Sequence, residues 1–227
     1  MDISDLLLRP MKDPNQAQQQ SMLHRATALF ARCGIKAVTM DDVSKDLAIS
    51  KKTLYQFFKN KGDLVQQSVS MAFSQRMKEV TSIQAKHDNA VDELVALQAH
   101  MIQTLQKHTP TMLFALEKYH RKTYLWLVEK RKAFMLDFIA SNLKRGIQQG
   151  LYQNHGDIQD IPYLRYSQII GMMEDETLME DPQRRNALMQ SGLDLYLRAI
   201  ATPQGLSYYR EHSQSTTANP ETIKPLS

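Results

Sequence analysis

The sequence of 227 residues holds few of the residues that cross-link or punctuate other kinds of fold. A single cysteine, Cys33, excludes an intramolecular disulfide and a cysteine-based zinc cluster, and suits a reducing compartment. At the end of a Leu23, Ala26, Phe30, Cys33 stripe it reads as a small buried apolar residue. Eight glycines, eight prolines and no Asn-Gly or Asp-Gly pair leave little to build β-hairpins. No apolar run approaches the ~18 residues of a membrane span. The stretch from Met1 to Pro10 lacks the basic and apolar regions of a secretory signal. These absences predict an all-α protein that stays in the cytoplasm, away from membranes.

Catalytic signatures are missing as well. The seven histidines show no His-Glu-x-x-His spacing, and neither a Gly-x-Ser-x-Gly elbow nor a phosphate-binding loop occurs. Glu174-Asp175-Glu176 with Glu180-Asp181 reads as a solvated helix end rather than a metal site. The expectation is a protein that is not an enzyme and needs no cofactor.

What the chain does have is helical rhythm and a charge bias confined to one place. Asp13-Pro14, Thr109-Pro110 and Asp181-Pro182 each join an N-cap to a proline at the first helical position, and Asp88-Asn89 offers another start. Gly34 stops the first helix. From Thr123 to Gly150 the positions Leu125, Val128, Lys132, Leu136, Ile139, Leu143 and Ile147 predict a long central helix, with Gly150 as its C-cap. Further helices are expected from about 60 to 80 and from 161 to 179. After Pro203 the composition turns polar and predicts a loose tail over 203–227, as it does for residues 1–12. Residues 17–65 contain eight Lys or Arg against four Asp, a balance of +4 that equals the net charge of the whole chain. That concentration suggests a local surface for a polyanion.

The same region contains two short predicted helices, Met40 to Leu47 and Lys51 to Phe57. Thr39 caps the first, with Asp41 and Asp42 at its positive end and Val43 and Leu47 turned inward. Ile49 fills the turn. Ser50 caps the second, whose Leu54 and Phe58 face inward while Lys51, Lys52, Thr53, Tyr55 and Gln56 remain outside or at its N-terminal end. Two short helices about a tight turn, the second opening on Lys-Lys-Thr, form a helix-turn-helix pattern.

Phe30 to Gly34, Thr39, Val43, Ile49-Ser50, Thr53-Leu54-Tyr55, Phe58, Lys61 and Leu64 together resemble the TetR family of bacterial transcriptional regulators. The motif spans about residues 16–76. Beyond it only length and helical rhythm are similar. The resemblance implies an N-terminal three-helix DNA-binding domain over 16–76, with the helix-turn-helix at 39–58. A helical ligand-binding and dimerisation domain would follow over 77–202. Thr39, Lys51, Thr53, Tyr55 and Lys61 are then expected at phosphates, Lys52 and Gln56 at base edges, and Ser50 at the cap between them. Ser44 and Ala48 depart from the family, which commonly has Ala and Gly there. An Ala48 forced into the left-handed turn conformation would be strained by ~1 kcal/mol.

In the remainder, Met101, Phe114, Tyr119, Trp126, Phe138 and Met172 are candidate lining for a soft apolar effector site, with Trp126 largely desolvated. The last predicted helix carries two adjacent seams, Leu188/Gly192/Leu195/Ala199 and Met189/Leu193/Tyr196/Ile200. One neighbour cannot cover both, so a homodimer through this helix and its predecessor is expected, with Leu188, Gly192, Leu195 and Ala199 at the interface. The resulting expectation is a homodimeric repressor that binds a palindromic double-stranded operator and is released by a small lipophilic effector. A nucleoid-bound structural protein and a helical carrier of lipophilic molecules stay open as rivals.

Overall fold

The computed structural model describes residues 14–105, 110–154 and 160–217; the stretches 1–12 and 218–227, expected to be loose, lie outside them. Eleven helices and no strand occur among the described residues: α1 (Pro14–Cys33), α2 (Met40–Asp46), α3 (Lys51–Phe57), α4 (Lys61–Lys86), α5 (Ala90–Leu105), α6 (Pro110–Tyr119), α7 (Arg121–Gln148), α8 (Asp160–Glu174), α9 (Glu176–Glu180), α10 (Pro182–Ile200) and α11 (Pro203–Thr217). The chain divides into two compact units. One holds the residues up to Met77 and again up to Val128 from Thr109; the other holds the rest.

In the first unit the inner stripe of α1 (Leu23, Ala26, Phe30) meets Val43 of α2, the fully buried Leu54 of α3 and the equally buried Phe58 that caps its C-terminus. Burying side chains of this size contributes roughly 1.5–3 kcal/mol each. Gly34 ends α1 at φ +81°, its N–H reaching the Phe30 carbonyl (2.9 Å). Leu116 of α6 is also buried in this core, so a helix far away in sequence completes it. Cys33 departs from expectation: it is exposed. It is the last residue of α1, and Ile35 and Val38 beyond the glycine close the core in its place.

In the second unit α5, α7, α10 and α11 enclose Val91, Leu94, Leu143, Tyr152, Leu193 and Leu197. Asn89 caps α5 by accepting the amides of Val91 (3.0 Å) and Asp92 (2.9 Å). Gly150, at φ +71°, ends α7, and the Leu151 N–H returns to the Gly146 carbonyl (2.9 Å) in a Schellman closure. At Gly146 a Cβ would overlap the Tyr152 ring, so only glycine fits that close approach.

Three boundaries differ from those predicted. Helix α4 runs on to Lys86. The expected 161–179 helix breaks at Asp175, whose carboxylate accepts the Leu178 amide (3.0 Å) and starts α9. The expected tail is helical over Pro203–Thr217: Thr202 caps it through the Gly205 amide (3.1 Å), Tyr209 is buried, and the Tyr208 hydroxyl donates to Asp92 (2.7 Å).

Candidate nucleic-acid interface

Helices α2 and α3 are fixed by caps that use their own polar side chains. Thr39 accepts the Asp42 amide (3.2 Å), while the Asp42 carboxylate accepts the Thr39 amide (2.9 Å) and hydroxyl (2.6 Å), a reciprocal capping box. Those bonds, first the one from the Thr39 hydroxyl, hold the Asp42 carboxyl below the usual carboxylate range. Both predicted acids thus have local roles, since Asp41 pairs with Lys51 (2.6 Å) and raises its pKa by hydrogen bond and charge. In the turn, Ala48 adopts φ +54°, the left-handed conformation that its glycine-like position implied. Arg25 and Arg32 of α1 reach Asp46 at the end of α2, bracing the pair from behind.

Ser50 caps α3 by accepting the Thr53 amide (3.0 Å), and its hydroxyl lies 2.8 Å from that of Thr53. With Leu54 and Phe58 wholly buried, helical geometry leaves Lys51, Lys52 and Gln56 exposed and Tyr55 half exposed. Ser50, Lys51, Lys52, Thr53, Tyr55 and Gln56 therefore share one short helix and its cap. Lys61, the first residue of α4, donates instead to the Lys36 carbonyl (3.0 Å), and partial burial lowers its pKa. Asn15, Gln16 and Gln19 of α1 line a cleft with Gln56 and Phe57. Sequence reasoning passed over these amides, although a polar, uncharged first turn of α1 was a readable signal.

The six candidate effector residues do not share one place. Phe114, Tyr119 and Trp126 belong to the first unit, and Met101, Phe138 and Met172 to the second. Phe114 (61% exposed) and Tyr119 (42% exposed) lie on the surface, contrary to an interior lining, because α6 turns Leu116 to the core. Trp126 is half buried, edge-on to Phe73 with ring centroids 5.8 Å apart, where near-complete desolvation was expected. Phe138 is core, and Met101 and Met172 are half buried.

Of the two α10 seams, Met189, Leu193, Tyr196 and Ile200 are buried in the chain's own core. Leu188, Leu195 and Ala199 remain exposed, and so do Tyr163 and Leu164 of the adjacent α8. Gly192, expected at the open seam, is buried instead against Gln168 and Met172 of α8. Its missing side chain lets the two helices approach closely.

Residues 22–67 match the sequence profile of the bacterial regulatory proteins of the tetR family. Over 142 residues, 59% of this chain and 71% of the relative, the chain is 28% identical to YhgD of Bacillus subtilis, an uncharacterized HTH-type transcriptional regulator. Among solved structures, the reduced form of E. coli NemR superposes with a TM-score of 0.62 at 16% identity, covering 82% of this chain and 98% of that one. SmeT, the repressor of the Stenotrophomonas maltophilia multidrug efflux pump SmeDEF, does so with a TM-score of 0.59 at 18% identity, covering 95% and 100%.

Proposed function

We propose, from the match of residues 22–67 to the tetR-family profile, that the chain is a TetR-family transcriptional regulator that acts as a homodimeric repressor on a palindromic operator and is released by a small lipophilic effector. The observation that carries the DNA-binding part is the outer face of α3. Six polar or aromatic side chains stand on this helix and its N-cap, in a register locked by Leu54 and Phe58. Lys51, Thr53 and Tyr55 supply donors for phosphate oxygens, while Lys52 and Gln56 extend toward base edges. Two such helices related by a two-fold axis read two half-sites about one helical turn apart.

The open seam of α10 with Tyr163 and Leu164 of α8 supports dimerisation, because exposed apolar side chains on two neighbouring helices gain from being covered. For the effector, support comes from the half-buried Met101 and Met172, whose unbranched thioethers adapt to varied apolar shapes. SmeT is named for a multidrug pump, which agrees with loose shape requirements.

The test uses the full chain and a duplex recovered from a random-sequence library. Neutralising ~6 phosphates per dimer gives a log-log salt slope near −5. Lys52→Ala flattens the preference at one base position by ~1–3 kcal/mol, and Leu195→Arg gives monomers that no longer bind. Recovery of no preferred duplex would sink the repressor reading, and an intact Leu195→Arg dimer would move the interface elsewhere.

A further inference from the structure

Helix α6 belongs to the same compact unit as the helix-turn-helix, although residues 78–108, which precede it, lie in the other unit. Leu116 ties one side of α6 into the core formed with Leu54 and Phe58. Its other side presents Phe114, Lys118 and Tyr119 to solvent. The Tyr119 ring has two ammonium groups against it, Lys36 at 5.3 Å and Lys118 at 5.7 Å, and Lys118 also lies 5.5 Å from the Phe114 ring. Contacts of this kind are weak at an exposed site, yet enough to bias where a flexible lysine rests.

The neighbouring acids are engaged elsewhere. Glu117 pairs with Arg121 (2.7 Å), and Asp42 is held in the Thr39 capping box. Among the described residues no carboxylate lies within ion-pair distance of Lys36 or Lys118. The two lysines are thus held by π faces, with their charge uncancelled.

This cluster is continuous with the expected DNA surface. Lys61 donates to the carbonyl of Lys36, and Thr39 follows three residues later at the cap of α2. We propose that Lys36, Lys118 and Tyr119 form a second phosphate clamp, which holds the duplex backbone flanking the half-site read by α3. The inference rests on the DNA-binding reading above and extends it to a longer operator. Duplex DNA is the occupant the arrangement favours, because the cluster shares one unit with α3 and adjoins Lys61 and Thr39. Ammonium groups steadied on aromatic rings suit a uniform row of phosphates and carry no base preference.

The experiment compares two versions of the library-selected duplex, one trimmed to the half-sites and one with about ten base pairs of arbitrary sequence added at each end. Affinity is measured from low to moderate salt for the wild type and for the double variant Lys36→Gln with Lys118→Gln. Both side chains are exposed, and binding of the trimmed duplex reports that the variant is folded. On the long duplex the variant's log-log salt slope should be shallower by ~1.8 per protomer, at ~0.9 for each lost phosphate contact. On the trimmed duplex it should match the wild type. Equal slopes for the two proteins on the long duplex, or the same loss on both duplexes, would overturn the flanking clamp while leaving α3 recognition standing. A wild type that prefers no duplex at all would overturn both.

Discussion

Around Leu54 and Phe58 the first unit encloses only hydroxyl groups as buried polar side chains among the described residues, those of Ser44, Ser68 and Thr123. The second encloses Glu93, Gln98, Asn142, Arg165 and Arg185. Glu93 is wholly buried and pairs with Arg145 of α7, while Asn142 donates to the Ala90 carbonyl (2.9 Å). Arg165 donates to Gln168 (2.6 Å) and lies 5.0 Å from the Tyr196 ring; burial pulls its pKa down to about 10. Burial likewise pushes the Tyr196 phenol up to about 12 and the Tyr152 phenol above its ordinary value. A core closed by hydrocarbon has one best packing and holds a recognition helix in fixed register. A core that contains charge and phenols has energies set by local polarity. The division agrees with the proposal that the first unit reads DNA and the second answers an effector.

That contrast can be tested where it should be largest. Arg145→Met strands the buried Glu93 carboxylate and should cost ~3–5 kcal/mol in urea unfolding, whereas Arg145→Met combined with Glu93→Leu should recover most of the loss. In the first unit Ser44→Ala removes a hydroxyl that donates to the Asp41 carbonyl (2.9 Å) and should cost only about 1 kcal/mol. Comparable losses for Arg145→Met and Ser44→Ala would erase the distinction.

The next effect is in alkali. Between pH 10 and about 12 the unfolded chain releases the Tyr196 proton that the folded chain retains, so this group's contribution to stability is complete below pH 10 and falls across that window. Arg165 acts with the opposite sign, since its depressed folded pKa makes stability rise with pH from about 10 toward its ordinary value. Tyr196→Phe should therefore lose less stability than the wild type between pH 9 and 11, by ~1.3 kcal/mol. An unchanged pH slope in urea midpoints would remove Tyr196 from the account.

The smallest effect belongs to the turn of the first unit. Ala48→Gly relieves a left-handed alanine and should raise thermal stability by ~1 kcal/mol, partly offset by the entropy glycine brings to the unfolded chain. A lowered melting temperature would show that the turn is not strained.

Local signals in this chain were legible and distant ones were not. Thr39, Ser50, Asn89, Asp181 and Gly150 act within four residues of themselves, and the helices they bound stand where the sequence placed them. Thr202-Pro203 is the same kind of cap-and-proline pair, and the sequence reading passed over it for the polar composition beyond. What makes α11 a helix there is the burial of Tyr209 and the Tyr208–Asp92 bond, partners that no local window contains. Glu93 was equally hidden, because an acid in the first turn of α5 reads as complementing the helix dipole. At the interface, the α3 face followed from periodicity. The bond from Lys61 to the Lys36 carbonyl joins residues 25 apart, and the surface position of Phe114 and Tyr119 depends on where α6 packs; sequence spacing carries no record of either.

The Asn89–Tyr208 hydrogen bond joins residues 119 apart. At ~5–20 residues per second of synthesis, α5 leaves the ribosome on the order of 6–24 s before its partner exists. Through that interval the apolar face of Val91 and Leu94 lacks the part of its native cover that α11 supplies, a window in which a growing chain is open to capture by a chaperone or by a neighbouring nascent chain. A stop codon ahead of Tyr208 would make that window permanent.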